Sequence, residues 1–186
     1  MSSLRFHLRP PHHACPIVAG ALILLASATS AEAGRTSCPG GADVPAPGAV
    51  ERTAEAVGCV INEERARRGR RRLRLQANLQ RAAGLHSRDM VRRSYFSHTS
   101  LEGRTFVTRV RGYTHGFVWK IGETLAWGSG GSGSPEAIVQ AWLQSATHRR
   151  VMLDTDYREV GIGVAAGLPL SNDAGATFTA DYGVRR

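Results

Sequence analysis

Apolar residues recur at helical spacing in two long segments of the chain. The spacing predicts a first helix over residues 50–69, ending at Gly69, and a second over residues 78–93, with Asn78 as its N-cap. The expected buried face of the first helix is formed by Val50, Ala54, Val57, Ile61 and Ala66. That of the second is formed by Leu79, Ala82, Ala83, His86 and Met90.

Two shorter helices are predicted from their end signals. Residues 105–111 form a short helix candidate that stops at Gly112. The run Ser134-Pro135-Glu136 opens a further helix, because it combines an N-cap, a proline in the first position and an acid in the first turn. Residues 128–134, rich in glycine and serine, predict a flexible loop before it.

The C-terminal part of the chain changes to a period of two. Residues 160–166 alternate glycine with apolar residues, which indicates a strand against which another backbone packs closely. Residues 176–182 alternate as well, so residues 168–175 are expected to join the two strands as a hairpin. The predicted helices precede the predicted hairpin, and strands and helices do not alternate as they do in βαβ units. The fold class is therefore α+β, with helices packed on a small antiparallel sheet.

The N-terminus has the pattern of a secretory signal peptide. Arg5 and Arg9 precede an apolar run over residues 17–28, and Ala31-Glu32-Ala33 is a small-x-small cleavage site. We expect cleavage after Ala33, since the apolar run is too short to remain as an anchor. This divides the chain into a leader (1–33), an extended Pro/Gly-rich lead (34–49) and a folded domain (50–186) that is secreted without a transmembrane anchor.

The charge is strongly basic, at +9 from 24 Lys and Arg against 15 Asp and Glu. Lys120 is the only lysine, a skew typical of GC-rich codon usage. The arginine run between Arg65 and Arg74 could bind polyanions such as acidic envelope polymers, but a solvated helix end is the favoured interpretation. No aromatic residues interleave the run, so nucleic acid is not an expected partner.

Cleavage of the leader removes Cys15 and leaves Cys38 and Cys59. In an exported protein this pair predicts a disulfide, which would tie the lead to the first helix. A free nucleophilic pair is disfavoured, because neither cysteine lies in a Cys-x-x-Cys motif or beside a histidine.

Four histidines remain: His86, His98, His115 and His148. His86 is expected as a hydrogen-bonded core residue and His115 as a loop residue. His98 and His148 each follow a predicted helix, and Glu123 follows Gly122 in an expected loop. Aromatic walls of the core or cleft are expected from Trp119, Trp127 and Trp142.

Two imidazoles and a carboxylate allow three kinds of chemistry. They could bind a divalent cation such as zinc, with His98 and His148 as ligands. They could activate water for hydrolysis, with Glu123 or a histidine as general base. They could also form a structural hydrogen-bond network. Spacing alone does not choose among these, since the chain has no His-Glu-x-x-His or Gly-x-Ser-x-Gly motif.

Taken together and in order, six segments resemble the CAP superfamily of cysteine-rich secretory, antigen 5 and pathogenesis-related proteins (the SCP domain), in particular its short bacterial branch. They are Val60-Ile61-Asn62-Glu63-Glu64-Arg65-Ala66-Arg67-Arg68-Gly69, His86-Ser87-Arg88-Asp89-Met90, Tyr95-Phe96-Ser97-His98-Thr99-Ser100, Gly122-Glu123-Thr124-Leu125-Ala126-Trp127, Trp142-Leu143-Gln144-Ser145 with His148-Arg149, and Val160-Gly161-Ile162-Gly163-Val164.

The resemblance implies an α-β-α sandwich with a central antiparallel sheet and a cleft lined by two histidines and two acids. His98, His148 and Glu123 match three of these positions. The fourth is Ser145 here, as in bacterial members, and Glu102 is a candidate to reach the cleft in its place.

The predicted function is a secreted, monomeric binding module whose cleft takes a divalent metal or a small ligand. The resemblance also implies lipid or envelope components as possible partners. One alternative is a metal-assisted hydrolase or peptidase acting on extracellular substrates, with Ser145 or Thr147 as a conceivable nucleophile. The other is a structural or adhesion domain whose cleft residues form a polar clasp.

Overall fold

A central sheet of four strands organises the computed structural model, which describes residues 37–111 and 118–185. Within these ranges the elements follow the order α1 (Val50–Arg67), β1 (Arg74–Leu75), α2 (Ala77–Arg92), α3 (Phe106–Arg111), β2 (Val118–Gly128), α4 (Pro135–Gln144), α5 (Ala146–Met152), β3 (Glu159–Ala166) and β4 (Ala176–Arg185). Short 3-10 helices occupy Pro47–Ala49 and Gly130–Gly133.

The first helix lies where the apolar spacing predicts it. It begins at Val50, and Gly69 beyond its end has a φ of 65°, in the left-handed region that glycine adopts without strain. Val57 and Ile61 are fully buried on its inner face, whereas Ala66, expected on that face, is exposed.

The second helix is confirmed, but its predicted cap is not. Helix α2 begins at Ala77, and Gln76 is the N-cap, because its side chain accepts a hydrogen bond of 2.7 Å from the backbone N–H of Leu79. The predicted apolar face of α2 is buried as a whole. Asn78, expected as the cap, lies inside the first turn.

The start of α4 also follows its predicted signals. Ser134 accepts a hydrogen bond from the N–H of Ala137, and Pro135 occupies the first helical position. The preceding Gly/Ser segment, expected to be a flexible loop, instead contains the 3-10 helix Gly130–Gly133, in which the N–H of Ser134 bonds to the carbonyl of Gly131.

The sheet has the order β1-β3-β4-β2. The predicted hairpin is confirmed: β3 and β4 pair antiparallel, and β2 joins the other edge of β4, also antiparallel. Strand β1 pairs in parallel with β3. The sequence prediction was wrong at β2, where Glu123 was expected in a loop. This strand is buried on both faces around Glu123, so its sequence lacks the alternation that identified β3 and β4.

Helices cover both faces of the sheet, which gives the α-β-α sandwich. Ile162 faces the layer of α1, where its side chain lies beside Gly58. The Cβ positions of Gly161 and Gly163 are directed to the opposite face, where these glycines lie against the backbone of α2. The main core lies on the α1 and α4 side and includes Val57, Val60, Ile61, Ile138, Trp142, Met152, Ile162, Phe178 and Tyr182.

The tryptophans differ in their environments. Trp142 is buried in the core, and its indole N–H donates a 3.0 Å hydrogen bond to the carbonyl of Leu125. Trp127 is 45% exposed and is therefore not a core residue. The side chain of Trp119, like His115, lies outside the described residues.

The predicted disulfide is confirmed between Cys38 and Cys59, whose Cα atoms are 5.8 Å apart. It ties the segment before α1 to the middle of that helix. In the chain-entropy model, closing a loop with a separation of 21 residues is worth about 3 kcal/mol.

The arginine run is only partly the solvated helix end that was expected. Arg65 is fully buried, and its guanidinium donates to the carbonyls of Arg71, Met152 and Asp154. The expectation failed here because the carbonyls of Met152 and Asp154, far away in the chain, meet that of Arg71 at the end of α1, and all three need a donor. The other arginines of the run are exposed.

The close approach of α2 to β3 predicts a steric effect of a single methyl group. In Gly163→Ala the new Cβ would overlap the backbone of Ala83 and Gly84, so the helix must shift away from the strand. We expect a loss of about 1–3 kcal/mol in the free energy of unfolding, measured by urea denaturation. Gly48→Ala is the matched control, because nothing lies near its Cβ position, and it should change stability by less than about 0.5 kcal/mol. Equal stability of the two variants would contradict the packing described.

Candidate functional site

Glu123 is the centre of a polar cluster on the α2 face of the sheet. It lies in β2, directly opposite Asp181 of β4, and its side chain has no exposed area. A buried carboxylate is costly unless it is paired and hydrogen-bonded. Its partners are His98, which forms a hydrogen bond with one carboxylate oxygen, and Arg109, which donates to the other.

His98 contacts Glu123 through its Nδ1 atom, which lies 2.7 Å from Oε1. Because an ionised carboxylate can only accept, Nδ1 carries the hydrogen and donates it. This selects the tautomer in which Nε2 keeps its lone pair. The His98 side chain is half exposed, at 50%, so the ring is accessible to solvent as well as anchored.

The loop that carries His98 is anchored through the residues that precede it. Helix α2 is followed by Ser94, with φ at 54°, after which the buried Tyr95 donates its hydroxyl to Asp89. The ring of His86 donates from Nε2 to the carbonyl of Ser97 at 2.9 Å. His86 is thus the hydrogen-bonded core histidine that the sequence predicts, and it holds the loop residue next to His98.

Arg109 completes the ion pair from α3. One guanidinium nitrogen, Nη2, binds Oε2 of Glu123, and the other, Nη1, donates to the carbonyl of His98 at 3.0 Å. Only 9% of its side chain is exposed. Arg109 was not predicted, because one arginine in a chain with 24 basic residues carries no local signal of its role.

Asp181 is the second buried acid, and it too was missed. The strand was predicted, and an acid within a buried strand is the signal that could have identified it. Neither carboxyl oxygen of Asp181 meets an N–H or O–H donor among the described residues. Burial, followed by the nearby Glu123 carboxylate, raises the pKa of Asp181 well above its ordinary value, although Arg109 acts in the opposite direction.

His148 approaches the cluster from a helix rather than from the segment after one. It lies in α5, whose N-cap is Ser145; the Ser145 hydroxyl accepts from the backbone N–H of His148. Burial lowers the pKa of His148 below its ordinary 6.5, and the ring of His98 lowers it further whenever that ring is protonated. The charge states of the two imidazoles therefore influence each other, and His148 is mostly neutral at pH 7, above its lowered pKa.

Glu102, the alternative fourth position, lies apart from this cluster. Its carboxylate pairs with Arg93 and Arg104 and accepts from the hydroxyl of Ser100 at 3.1 Å. The side chain is 46% exposed. Ser145, the residue at the matching position, acts as a helix cap, the local backbone role common for serine at helix ends.

A metal centre with three protein ligands is not preformed around His98. In residues 37–111 and 118–185, the one group of three potential ligand atoms within 4.8 Å of each other is Cys38, Cys59 and Glu63, whose cysteines form the disulfide. The Glu123 side chain is fully buried, and each of its oxygens already lies against His98 or Arg109, so its carboxylate is not exposed to an incoming ion. The available metal-binding atoms are thus imidazole nitrogens.

A groove of about 1060 Å³ runs along α2 beside the cluster. It shares Arg109 and His86 with the cluster, and its other lining residues include Leu85, Arg88 and Val164. His98 and His148 do not line it. The groove and the histidine pair are therefore separate surfaces joined by the buried polar residues.

The chain belongs to the cysteine-rich secretory protein (CAP) family, whose model matches residues 60–182. This confirms the resemblance seen in the ordered segments, and all the residues of the cluster lie within the matched range.

Two relatives come from Bacillus subtilis strain 168. The uncharacterized protein YkwD is 29% identical over 119 residues, which are 63% of this chain and 44% of YkwD. The uncharacterized membrane protein YlbC is 34% identical over 79 residues, or 42% of this chain and 22% of YlbC. This chain thus matches less than half the length of either relative.

Solved structures share the fold at low sequence identity. An outer surface protein of Borrelia burgdorferi has a TM-score of 0.61 at 23% identity, covering 70% of this chain and 90% of its own. An extracellular SCP-domain protein of Bacillus anthracis has a TM-score of 0.58 at 24% identity, covering 75% and 41%. A cysteine-rich secretory protein of Staphylococcus aureus has a TM-score of 0.53 at 14% identity, covering 72% and 38%.

None of the helices formed by residues 37–111 and 118–185 has the length and apolar character needed to cross a bilayer.

The lowered histidine pKa values predict how stability depends on pH. Burial, and then the charge of Arg109, lower the pKa of His86, and His148 shifts in the same direction. Between the lowered value and about 6.5, the unfolded chain binds protons that the folded protein does not. These two histidines should therefore contribute a fall in the free energy of unfolding as the pH drops from about 7.5 to about 5.5. The raised pKa of Asp181 contributes in the opposite direction, because the folded protein keeps a proton that the unfolded chain releases.

Urea denaturation across this pH range tests the assignment. Between about pH 7.5 and about pH 5.5 the double variant His86→Gln, His148→Gln should lose less stability, or gain more, than the unmodified protein, whatever its absolute stability. An unchanged slope would show that these two residues do not cause the pH dependence.

Proposed function

We propose that this protein is an exported binding module in which His98 and His148 bind a divalent metal ion, with zinc as the first candidate. The observation that carries the proposal is the hydrogen bond from His98 Nδ1 to the buried Glu123. Histidines that bind metal commonly donate the other ring N–H to a carboxylate, which fixes the ring and raises its basicity as a ligand.

The neighbouring histidine supports the same conclusion. A metal ligand must be the neutral imidazole, and the lowered pKa of His148 keeps it neutral at pH 7. Bringing two imidazoles close together disfavours protonating both, whereas a shared cation uses both lone pairs. The chemistry of this donor set fits zinc or another divalent metal that prefers imidazole nitrogen.

The remaining coordination positions would belong to water or to a bound ligand. The accessible ring of His98 leaves room for them, since half of its side chain is exposed. When bound, the ion supplies a Lewis-acidic centre able to take an oxygen or nitrogen atom of a small ligand or envelope component. Glu123 and Arg109 orient His98, and Ser145, as the α5 cap, is not an activated nucleophile.

Calorimetric titration with zinc tests the site. We expect His98→Ala and His148→Ala each to abolish binding. Glu123→Gln should weaken it by about 10- to 100-fold, because the ring of His98 loses its carboxylate partner. Circular dichroism of each variant establishes that it is folded.

Glu102→Gln is the matched control, an acid-to-amide change on a carboxylate that pairs with Arg93 rather than with His98. It should bind zinc as the unmodified protein does. If both histidine variants bind zinc normally, the metal proposal fails. If His98→Ala lowers only the melting temperature of a protein that never binds zinc, the cluster is a structural clasp.

Export is the second part of the proposal, and it is supported by the leader pattern in residues 1–33. We expect the protein expressed in a bacterial host to be recovered outside the cytoplasm with Gly34 as its first residue, as measured by N-terminal sequencing. Ala33→Arg should block this cleavage, because the site requires a small residue. Full-length protein retained in the cytoplasm would contradict the export proposal.

A further inference from the structure

We propose that Asp181 keeps its carboxylic proton at neutral pH and donates it to Glu123, so that a buried acid–carboxylate pair positions His98. Asp181 contacts neither histidine of the site and would act through Glu123 as a positioning residue. The proposal does not depend on the metal, because it concerns the protein without any ligand.

The strand pairing brings the two acids together. Glu123 and Asp181 are direct partners in the antiparallel register of β2 and β4, so their side chains leave the same face of the sheet side by side. Both are buried: Glu123 has no exposed side-chain area, and Asp181 is 0% exposed. The α2 layer covers this face, with Gly161 of β3 paired to Asp181 on the other side.

The lack of donors around Asp181 implies that a proton lies between Asp181 and Glu123. No N–H or O–H group of the described residues reaches either oxygen of Asp181, and the strand register places the carboxylate of Glu123 beside it as the acceptor. Two ionised carboxylates can only accept, so a hydrogen bond between them needs one proton. Glu123 already accepts from His98 and Arg109, as an ionised carboxylate does, and Asp181 is therefore the protonated partner.

The charges of the cluster agree with this assignment. Arg109 is the guanidinium at the centre, and it neutralises one carboxylate. Two ionised carboxylates would leave an unbalanced buried negative charge, which is strongly unfavourable. His98 could supply a second positive charge, but it is half exposed and binds Glu123 rather than Asp181. His86, which faces the cluster from α2, is kept neutral by burial and by Arg109, which lower its pKa.

As a consequence, the carboxylate of Glu123 is held by hydrogen bonds from three side chains. Glu123 accepts from the imidazole of His98, the guanidinium of Arg109 and the hydroxyl of Asp181, which uses three of about four lone-pair positions. Its plane cannot rotate without breaking one of these bonds. Because the ring of His98 is hydrogen-bonded to this carboxylate, the ring is held in one orientation as well. Its Nε2 stays the unprotonated nitrogen.

Infrared spectroscopy of protein carrying ¹³C-labelled aspartate tests the proton directly and needs no variant. At pH 7 we expect one carbonyl band of a protonated carboxylic acid that shifts with the label and disappears in Asp181→Asn. A spectrum at pH 7 with no protonated aspartate band would overturn the proposal.

The positioning role is tested by the tautomer of His98. Nitrogen chemical shifts should show hydrogen on Nδ1 in the unmodified protein and in Asp181→Asn, and a mixture of both tautomers in Asp181→Ala. Unchanged tautomer populations in Asp181→Ala would overturn the positioning role even if the proton assignment stands. Because these measurements use metal-free protein, a failure of zinc binding leaves them unaffected.

Discussion

The structure depends on one buried carboxylate. Glu123 has no contact with solvent, so it requires permanent partners, and these come from an otherwise unrelated loop and helix. His98 and Arg109 supply them, and Arg109 also binds the carbonyl of His98. Satisfying this one charge therefore determines where the loop after α2 and the helix α3 must lie. The position of the solvent-accessible His98 follows from these same contacts.

This arrangement changes the roles of the site residues. A glutamate at such a position suggests a metal ligand or a general base, but its oxygens are occupied by internal donors. Glu123 is better described as the group that orients His98 and selects its tautomer. Ser145 likewise serves the backbone, as the cap of the helix that carries His148. In the proposed function, the metal-binding atoms therefore belong to two imidazoles, and the buried polar cluster supports one of them.

The glycines of β3 make the cluster possible from the opposite side. Gly161 and Gly163 allow the backbone of α2 to lie directly on the sheet, in the layer that covers Asp181 and Glu123. A helix held further away would leave room for water beside the two acids. Close packing thus keeps the cluster dry, and low polarity strengthens every interaction within it.

Local patterns in the sequence determined most of the secondary structure: α1, α2, the start of α4 and the β3–β4 hairpin follow from periodicity and capping. The disulfide follows from cysteine count, and the family from the order of short motifs. Strand β2, the burial of Arg65 and the partners of Glu123 were decided only by tertiary structure. Each depends on groups far apart in the chain, and the need to satisfy a buried charge or carbonyl appears only once the elements have packed. Asp181 illustrates the division, since its strand was readable from alternation while its protonated state depends on the acid opposite.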